Sequence, residues 1–219
     1  MVHVNLKRLV GKLNDVNRQS MEAAAGFCLS RTNYNVEVEH WLLKLIESNN
    51  TDIVVALRHF GVDISRMAAD LTTAIDRFKT GNSRSPTLSP DLVSLIRSAW
   101  LIGSIDFGSP VARSGHVLCA LLSDTSLSRI ANDASKEFDK ISVEALHSEL
   151  EQITSNTDEA ADPSATDPGS AVTPGKPAGP TKTPSLDQFT IDRTAEARAG
   201  NIEPVVGRGP EGSEGRRVG

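Results

Sequence analysis

Apolar residues recur at helical spacing from the first turn of the chain onward. Leu6, Leu9, Val10 and Leu13 fall on one side of residues 4–13 and Lys7, Arg8 and Lys12 on the other, which predicts a short leading helix. Gly11 costs that helix about 1 kcal/mol relative to alanine, so it needs docking to persist. Asp15 is suited to cap a second helix reaching about Arg31, with Val16, Met21, Ala24, Phe27 and Cys28 on one face. The run Ala23-Ala24-Ala25-Gly26 leaves one turn nearly bare, which permits close approach of another helix. Asn33 and Asn35 mark a turn, after which Val38, Trp41, Leu42, Leu45 and Ile46 point one way. Glu37 and Glu39 lie in that helix's first turn, where its dipole favours negative charge. Thr51 opens the next helix and Gly61 closes it, and residues 65–78 place Met67, Leu71, Ile75 and Phe78 on a further apolar stripe.

After a polar, proline-bearing connection at residues 79–90, the plan repeats at 91–105, 114–123, 127–138 and 142–153. Ser89-Pro90-Asp91 reads as a cap followed by proline at the first helical position. The stretch YNVEVEHWLLKLIE, Tyr34 to Glu47, is matched by PVARSGHVLCALLS, Pro110 to Ser123. His40 and His116 stand 76 residues apart, and the register holds without a gap back to Asp15 and Asp91 before blurring after Ser123. No segment alternates with period two, so a strand reading fails throughout. The expected fold is all-α: two pseudo-symmetric four-helix units, about 15–79 and 91–153, behind the leading helix 4–13, forming one domain over residues 1–153.

Past Ile153 the composition changes. Residues 155–185 hold six of the 11 prolines and no Leu, Ile, Met, Phe, Tyr or Trp, so 154–185 is expected to be a Pro/Ser/Thr-rich flexible linker. Residues 186–208 are amphipathic enough to begin another folded unit, and 209–219 form a tail without periodicity. A net charge of −5 leaves no basic face for nucleic acid, and no apolar run is long enough for a membrane. The two cysteines, Cys28 and Cys119, sit in apolar helical patterns with no signal peptide ahead of them, which suits a reducing cytoplasm.

Candidate chemistry is thin. His40 and His116 at equivalent positions are open to reading as paired metal ligands, but no Cys or carboxylate accompanies His116 at ligand spacing, and a structural role at the helix start is the competing reading. Glu37, Glu39 and His40 supply acid and base types without a nucleophile. Cys28 lies beside Phe27 on an apolar face, where a thiol stays protonated. Trp41 and Trp100 read as core anchors first and binding residues second. No GxxxxGK[ST] phosphate loop occurs anywhere. No catalytic, cofactor or metal site is therefore expected in this chain.

Glu39-His40-Trp41-Leu42-Leu43, its looser echo Gly115-His116-Val117-Leu118, and Leu57-Arg58-x-x-Gly61-Val62-Asp63 resemble the Clp repeat domain at the N-terminus of Hsp100/Clp unfoldases. Leu186-Asp187-x-Phe189 through Glu203-Pro204-Val205-Val206-Gly207-Arg208 resembles the start of the first AAA+ module of the same proteins. The leading helix, SRTNYNVEVEHWLLKL from Ser30 to Leu45, and ARSGHVLCALL from Ala112 to Leu122 are most similar to ClpV (TssH), the branch serving bacterial type VI secretion. The ClpB/ClpC-like disaggregases and protease-partner unfoldases are the nearest alternative. This resemblance implies a domain that recruits substrate by binding the N-terminal helix of the sheath large subunit (TssC/VipB-like). It also implies ATP and Mg²⁺ in the full-length hexamer and none here, and a monomer cut short where the first module begins.

A groove for such a guest helix is expected between the leading helix, Leu6, Leu9, Val10 and Leu13, and the bare turn Ala23, Ala24 and Phe27, with Thr87, Leu88 and Leu92 as the far wall. Serine at Leu9 and Leu13 is expected to abolish guest binding without unfolding the domain.

Overall fold

The computed structural model describes residues 5–160. Most of the expected linker, the expected start of an AAA+ module at 186–208 and the tail 209–219 lie outside the described residues. Helix α1, Leu6–Val10, is shorter than expected and is capped by the Asn5 side chain, which accepts from the Arg8 amide at 3.2 Å. The first repeat follows as α2 (Asp15–Ser30), α3 (Val38–Ile46), α4 (Asp52–His59) and α5 (Ile64–Ile75). The second is α6 (Pro90–Ile105), α7 (Ser114–Ser123), α8 (Thr125–Ala134), a 3-10 turn Lys136–Lys140, and α9 (Val143–Ile153). The two four-helix units behind a leading helix are thus present, and the fold is all-α. The cap of α2 is Asn14 rather than Asp15, because the Asn14 carboxamide oxygen accepts from Asn17 N–H at 3.0 Å.

Helical propensity is reinforced at most helix starts. Ser89 caps α6 with Pro90 at its first position, and Asp63, Asp124 and Ser142 cap α5, α8 and α9. Gly61, at φ +68°, supplies the left-handed residue that lets Val62 N–H return to Leu57 C=O at 3.0 Å after α4. The apolar stripes converge on one continuous core shared by both repeats. Trp41, Leu45, Ile53 and Leu57 come from the first, Leu92, Leu95, Val117 and Leu121 from the second. The Trp41 indole N–H, deep in that core, donates to Ser20 Oγ at 3.0 Å, so its burial leaves no donor unpaired.

One expectation fails in detail. Two short strands exist, β1 (Asn35–Val36) and β2 (Thr87–Leu88), paired in parallel with Val36 opposite Leu88. A single matching bridge joins Leu13 and Ala112. Each repeat thereby pairs the strand ahead of its second helix with the lead-in to the other repeat's first helix, and Ser89 N–H to Val36 C=O (3.0 Å) is echoed by Asn14 N–H to Ala112 C=O (3.1 Å). Two-residue strands are too short to show an alternating pattern, which is why the sequence carried no sign of them.

The expected domain edge at Ile153 also moves. The chain continues packed through Ala160: Thr154, Thr157 and Glu159 are buried, and Asp158 N–H donates to Asn50 C=O at 3.1 Å. Residues 154–160 therefore belong to the domain and not to the linker. Their polar composition conceals this, because they are held by hydrogen bonds and not by apolar burial.

Candidate functional site

Helix α1 packs on α6, and Lys12 Nζ lies over the Trp100 ring, 5.3 Å from its centroid. This places the leading helix on the first helix of the second repeat. Of its apolar residues, Leu13 is fully buried and Leu9 nearly so, Val10 is half-buried, and Leu6 is 45% exposed. At the head of α6, Thr87 is exposed, Leu88 half-buried and Leu92 fully buried. The surface available along α1 and the start of α6 is accordingly Leu6, Val10, Thr87 and Leu88.

The remaining expected groove residues lie elsewhere. Ala24 is in the core against α3, whereas Ala23 borders a depression of about 390 Å³ with Val16, Gln19, Lys44 and Asp158. Phe27 lines another of about 580 Å³ with Leu43, Ala68 and Thr72, and carries Arg31 and Lys44 over its ring at 5.1 and 4.7 Å. No residue of α1 enters either depression. Of the bare turn only Ala24 is buried, while Ala23 and Gly26 stay exposed and Gly26 has no neighbour within 4 Å of a Cβ built on it, and the Leu9/Leu13 double substitution strikes the core instead of a binding surface.

Exposed Leu29 on α2 escaped the sequence reading, and so did two exposed residues of the second repeat, Leu101 and Ile105, the latter 72% exposed. These two stand four apart on α6, the helix that α1 covers. The expected gapless register slips by one residue, since the caps Asn14 and Ser89 stand 75 apart where the histidines stand 76; at the spacing of the caps Leu101 falls against Gly26 and Ile105 against Ser30, so the fold does not require apolar side chains there.

The paired histidines turn out to be capping residues. Nδ1 of His40 accepts from the Glu37 amide at 3.1 Å, and Nδ1 of His116 from the Arg113 amide at 3.2 Å, each reaching back to the residue ahead of its helix. His40 Nε2–H then donates to Asn33 Oδ1 at 3.3 Å. Phe78 stacks on His40 and Phe107 on His116, with centroids 5.5 and 5.0 Å apart. Burial, reinforced by Arg31 and Arg113 respectively, holds both imidazoles at a pKa of about 4. Among the described residues no three His, Cys, Asp or Glu side chains gather as a metal site would need. Burial pushes the Cys28 thiol up to about 11 and Cys119 to about 12, so neither is a nucleophile at neutral pH. Among the described residues no helix is long and apolar enough to cross a membrane.

Polar chemistry concentrates in the seam between the repeats. The buried Asp52 accepts a two-pronged ion pair from Arg113, Nε at 2.7 Å and a terminal nitrogen at 2.8 Å, and a further bond from the Thr157 hydroxyl. Beside it the Glu159 carboxylate accepts from the Asp52 amide (2.9 Å), the Ser114 amide (2.7 Å), the Asn14 carboxamide (2.7 Å) and the Ser114 hydroxyl. Burial and the Asp52 charge push the Glu159 pKa up, while the donors from Ser114 and Asp52 draw it back.

Two clasped four-helix units with capping histidines at equivalent positions, preceded by a helix laid on the second unit, define a duplicated helical repeat domain. The chain belongs to the Clp repeat (R) N-terminal domain family, whose pattern matches residues 12–134. It is 33% identical over 218 residues to the AAA+ ATPase ClpV1 of Pseudomonas aeruginosa, covering 96% of this chain and 24% of that protein. It is also 33% identical over 215 residues to the chaperone protein ClpB of Yersinia enterocolitica, covering 95% and 24%. The chain thus spans about a quarter of the length of these relatives. Among solved structures it is similar to a chain from work on the coevolution of the ATPase ClpV, the TssB-TssC sheath and the accessory HsiE protein in type VI secretion, at a TM-score of 0.69 and 32% identity over 73% of this chain and 98% of that one. It is similar as well to the ClpV N-domain in complex with VipB peptide, at 0.62 and 26% over 73% and 97%.

Proposed function

We propose that this chain is the substrate-recruiting N-terminal domain of a ClpV-type unfoldase, and that it binds an amphipathic helix from the large subunit of the type VI secretion sheath. The observation carrying this is α1 laid on α6, with Leu6 exposed and Val10 half-buried on α1, and Thr87 exposed and Leu88 half-buried on β2 just ahead of α6. Support comes from the likeness to a ClpV N-domain seen with VipB peptide. A guest helix would seat its i, i+3, i+4 and i+7 side chains on these residues, with Leu101 and Ile105 extending the apolar surface of the same helix. The domain works in the cytoplasm as the recruiting arm, and ATP and Mg²⁺ belong to the ATPase modules of the full-length relatives, since this sequence has no phosphate loop.

The test is fluorescence anisotropy with a labelled peptide of the sheath large subunit's N-terminus. Binding on the order of micromolar, roughly −8 kcal/mol, is expected. A ClpB-like role, to which the Yersinia relative points, predicts instead capture of an unfolded protein with no preference for that peptide.

A further inference from the structure

The residues that follow α9 turn back into the seam, and a single carboxylate fastens them there. Helices α4 and α7 belong to different repeats and meet with their N-termini together. Their cap residues, Thr51 and Arg113, place no side-chain hydrogen bond on the amides behind them. Glu159, with none of its surface exposed, takes that office for both: Oε1 receives Asp52 N–H of α4 and Oε2 receives Ser114 N–H of α7. The Asn14 carboxamide, itself the cap of α2, completes the set, so four donors from both repeats surround one anion. The strap is pinned on either side of Glu159, by Thr157 to Asp52 and by the Asn50 carboxamide to Asp158 at 2.7 Å.

We propose that the seam between the repeats is a carboxylate-binding site that the chain fills in cis with Glu159, making Thr154–Ala160 a latch that ties the segment leaving the domain to both repeats at once. The donors are fixed by helix termini and do not depend on Glu159 for their placement. A free carboxylate of the right size therefore fits the same site once the side chain is removed. Force arriving from beyond Ala160 falls on Glu159 and on the starts of α4 and α7 before it reaches α9.

The latch is tested in the full 219-residue chain with Glu159→Ala, following hydrogen exchange at the amides of Thr157, Asp158 and Ala160, all of which are hydrogen-bonded in the strap. Loss of charge-assisted bonds predicts exchange faster there by about tenfold to a hundredfold, with the α3 amides unaffected. Formate is the trans occupant: it is expected to raise the Tm of Glu159→Ala more than equimolar chloride does, and to leave the parent chain's response to the two salts equal. Unchanged strap exchange, or equal responses to formate and chloride in the variant, overturns the proposal. Should Glu159→Ala not fold, Thr157→Val leaves Glu159 in place and removes the hydroxyl's bonds to Asp52, Thr154 C=O and Arg113, and it must still accelerate exchange at Asp158 and Ala160 several-fold relative to α3. Failure to do so counts equally against the latch.

Discussion

The imidazole of His116 stands where a side chain on Gly103 would have to go. A Cβ on Gly103 would lie 2.4 Å from Nδ1, the atom that caps α7. The matching position of α2 is Cys28, so the two repeats solve the packing beneath their capping histidines differently. Alanine at Gly103 gains about 1 kcal/mol of helix propensity but forces the ring off its cap, and overpacking of this kind costs about 1–3 kcal/mol. Gly103→Ala is expected to lower the urea midpoint by the equivalent of about 1–2 kcal/mol. A midpoint at or above that of the parent would show that the ring is free to move aside.

The capping histidines also predict an acid response. Their folded pKa of about 4 lies below the unfolded value near 6.5, so the unfolded state takes up protons first as pH falls. Each histidine contributes stability that is present above pH 6.5 and is lost on the way to pH 4, about 3 kcal/mol per residue. Glu39 acts in the opposite sense: burial raises its carboxyl to about 7, which adds stability between pH 7 and 4.5. The two effects are separated by His116→Asn, whose side-chain oxygen can still accept from the Arg113 amide. Denaturation of this variant from pH 7 to 4 should show a shallower acid loss than the parent; an identical slope would mean His116 titrates normally.

Leu6 and Leu13 differ in role although both lie on the apolar side of one short stretch. Leu6→Asp should weaken sheath-peptide binding by at least about tenfold while the Tm stays within a degree or two, because an exposed substitution rarely costs more than about 0.5 kcal/mol. Leu13→Ala should cost about 2–5 kcal/mol of stability, since Leu13 has no exposed surface. Undiminished binding by Leu6→Asp places the guest on another face.

Limited proteolysis reports the domain edge. The resistant fragment should end at or beyond Ala160, because Thr154, Thr157 and Glu159 are buried within the fold. Mass spectrometry that finds the fragment ending at Ile153 would contradict the packing of the last seven described residues.

Much of this fold was legible because helices write themselves into sequence every three to four residues. His40 and His116 marked the duplication, and Ser89-Pro90 marked the start of α6. Contacts between distant polar residues leave no such periodic trace. Glu159 sits in a stretch, SNTDEAADPS, whose composition is that of a linker, and its partners lie 45 to 145 residues away. One clue was present: Arg113 is a poor residue to precede a helix, and its position implied that some other group serves α7. The groove was misjudged for a related reason. Periodicity shows that Leu9 and Leu13 share a side, but not that α6 and the Ala112 bridge already cover it.

The crosswise backbone pairing of the repeats bears on how the domain comes into being. Val36 needs residues 87–89 and the lead-in at residues 12–14 needs Ala112, so neither half holds everything it must bond to. A chain emerging from the ribosome can form α2 through α5 early, yet its first residues wait for a strand made about a hundred residues later. The ancestral single unit, before duplication, could have met the same requirement only by embracing a second copy of itself, and the present chain is that embrace written on one polypeptide.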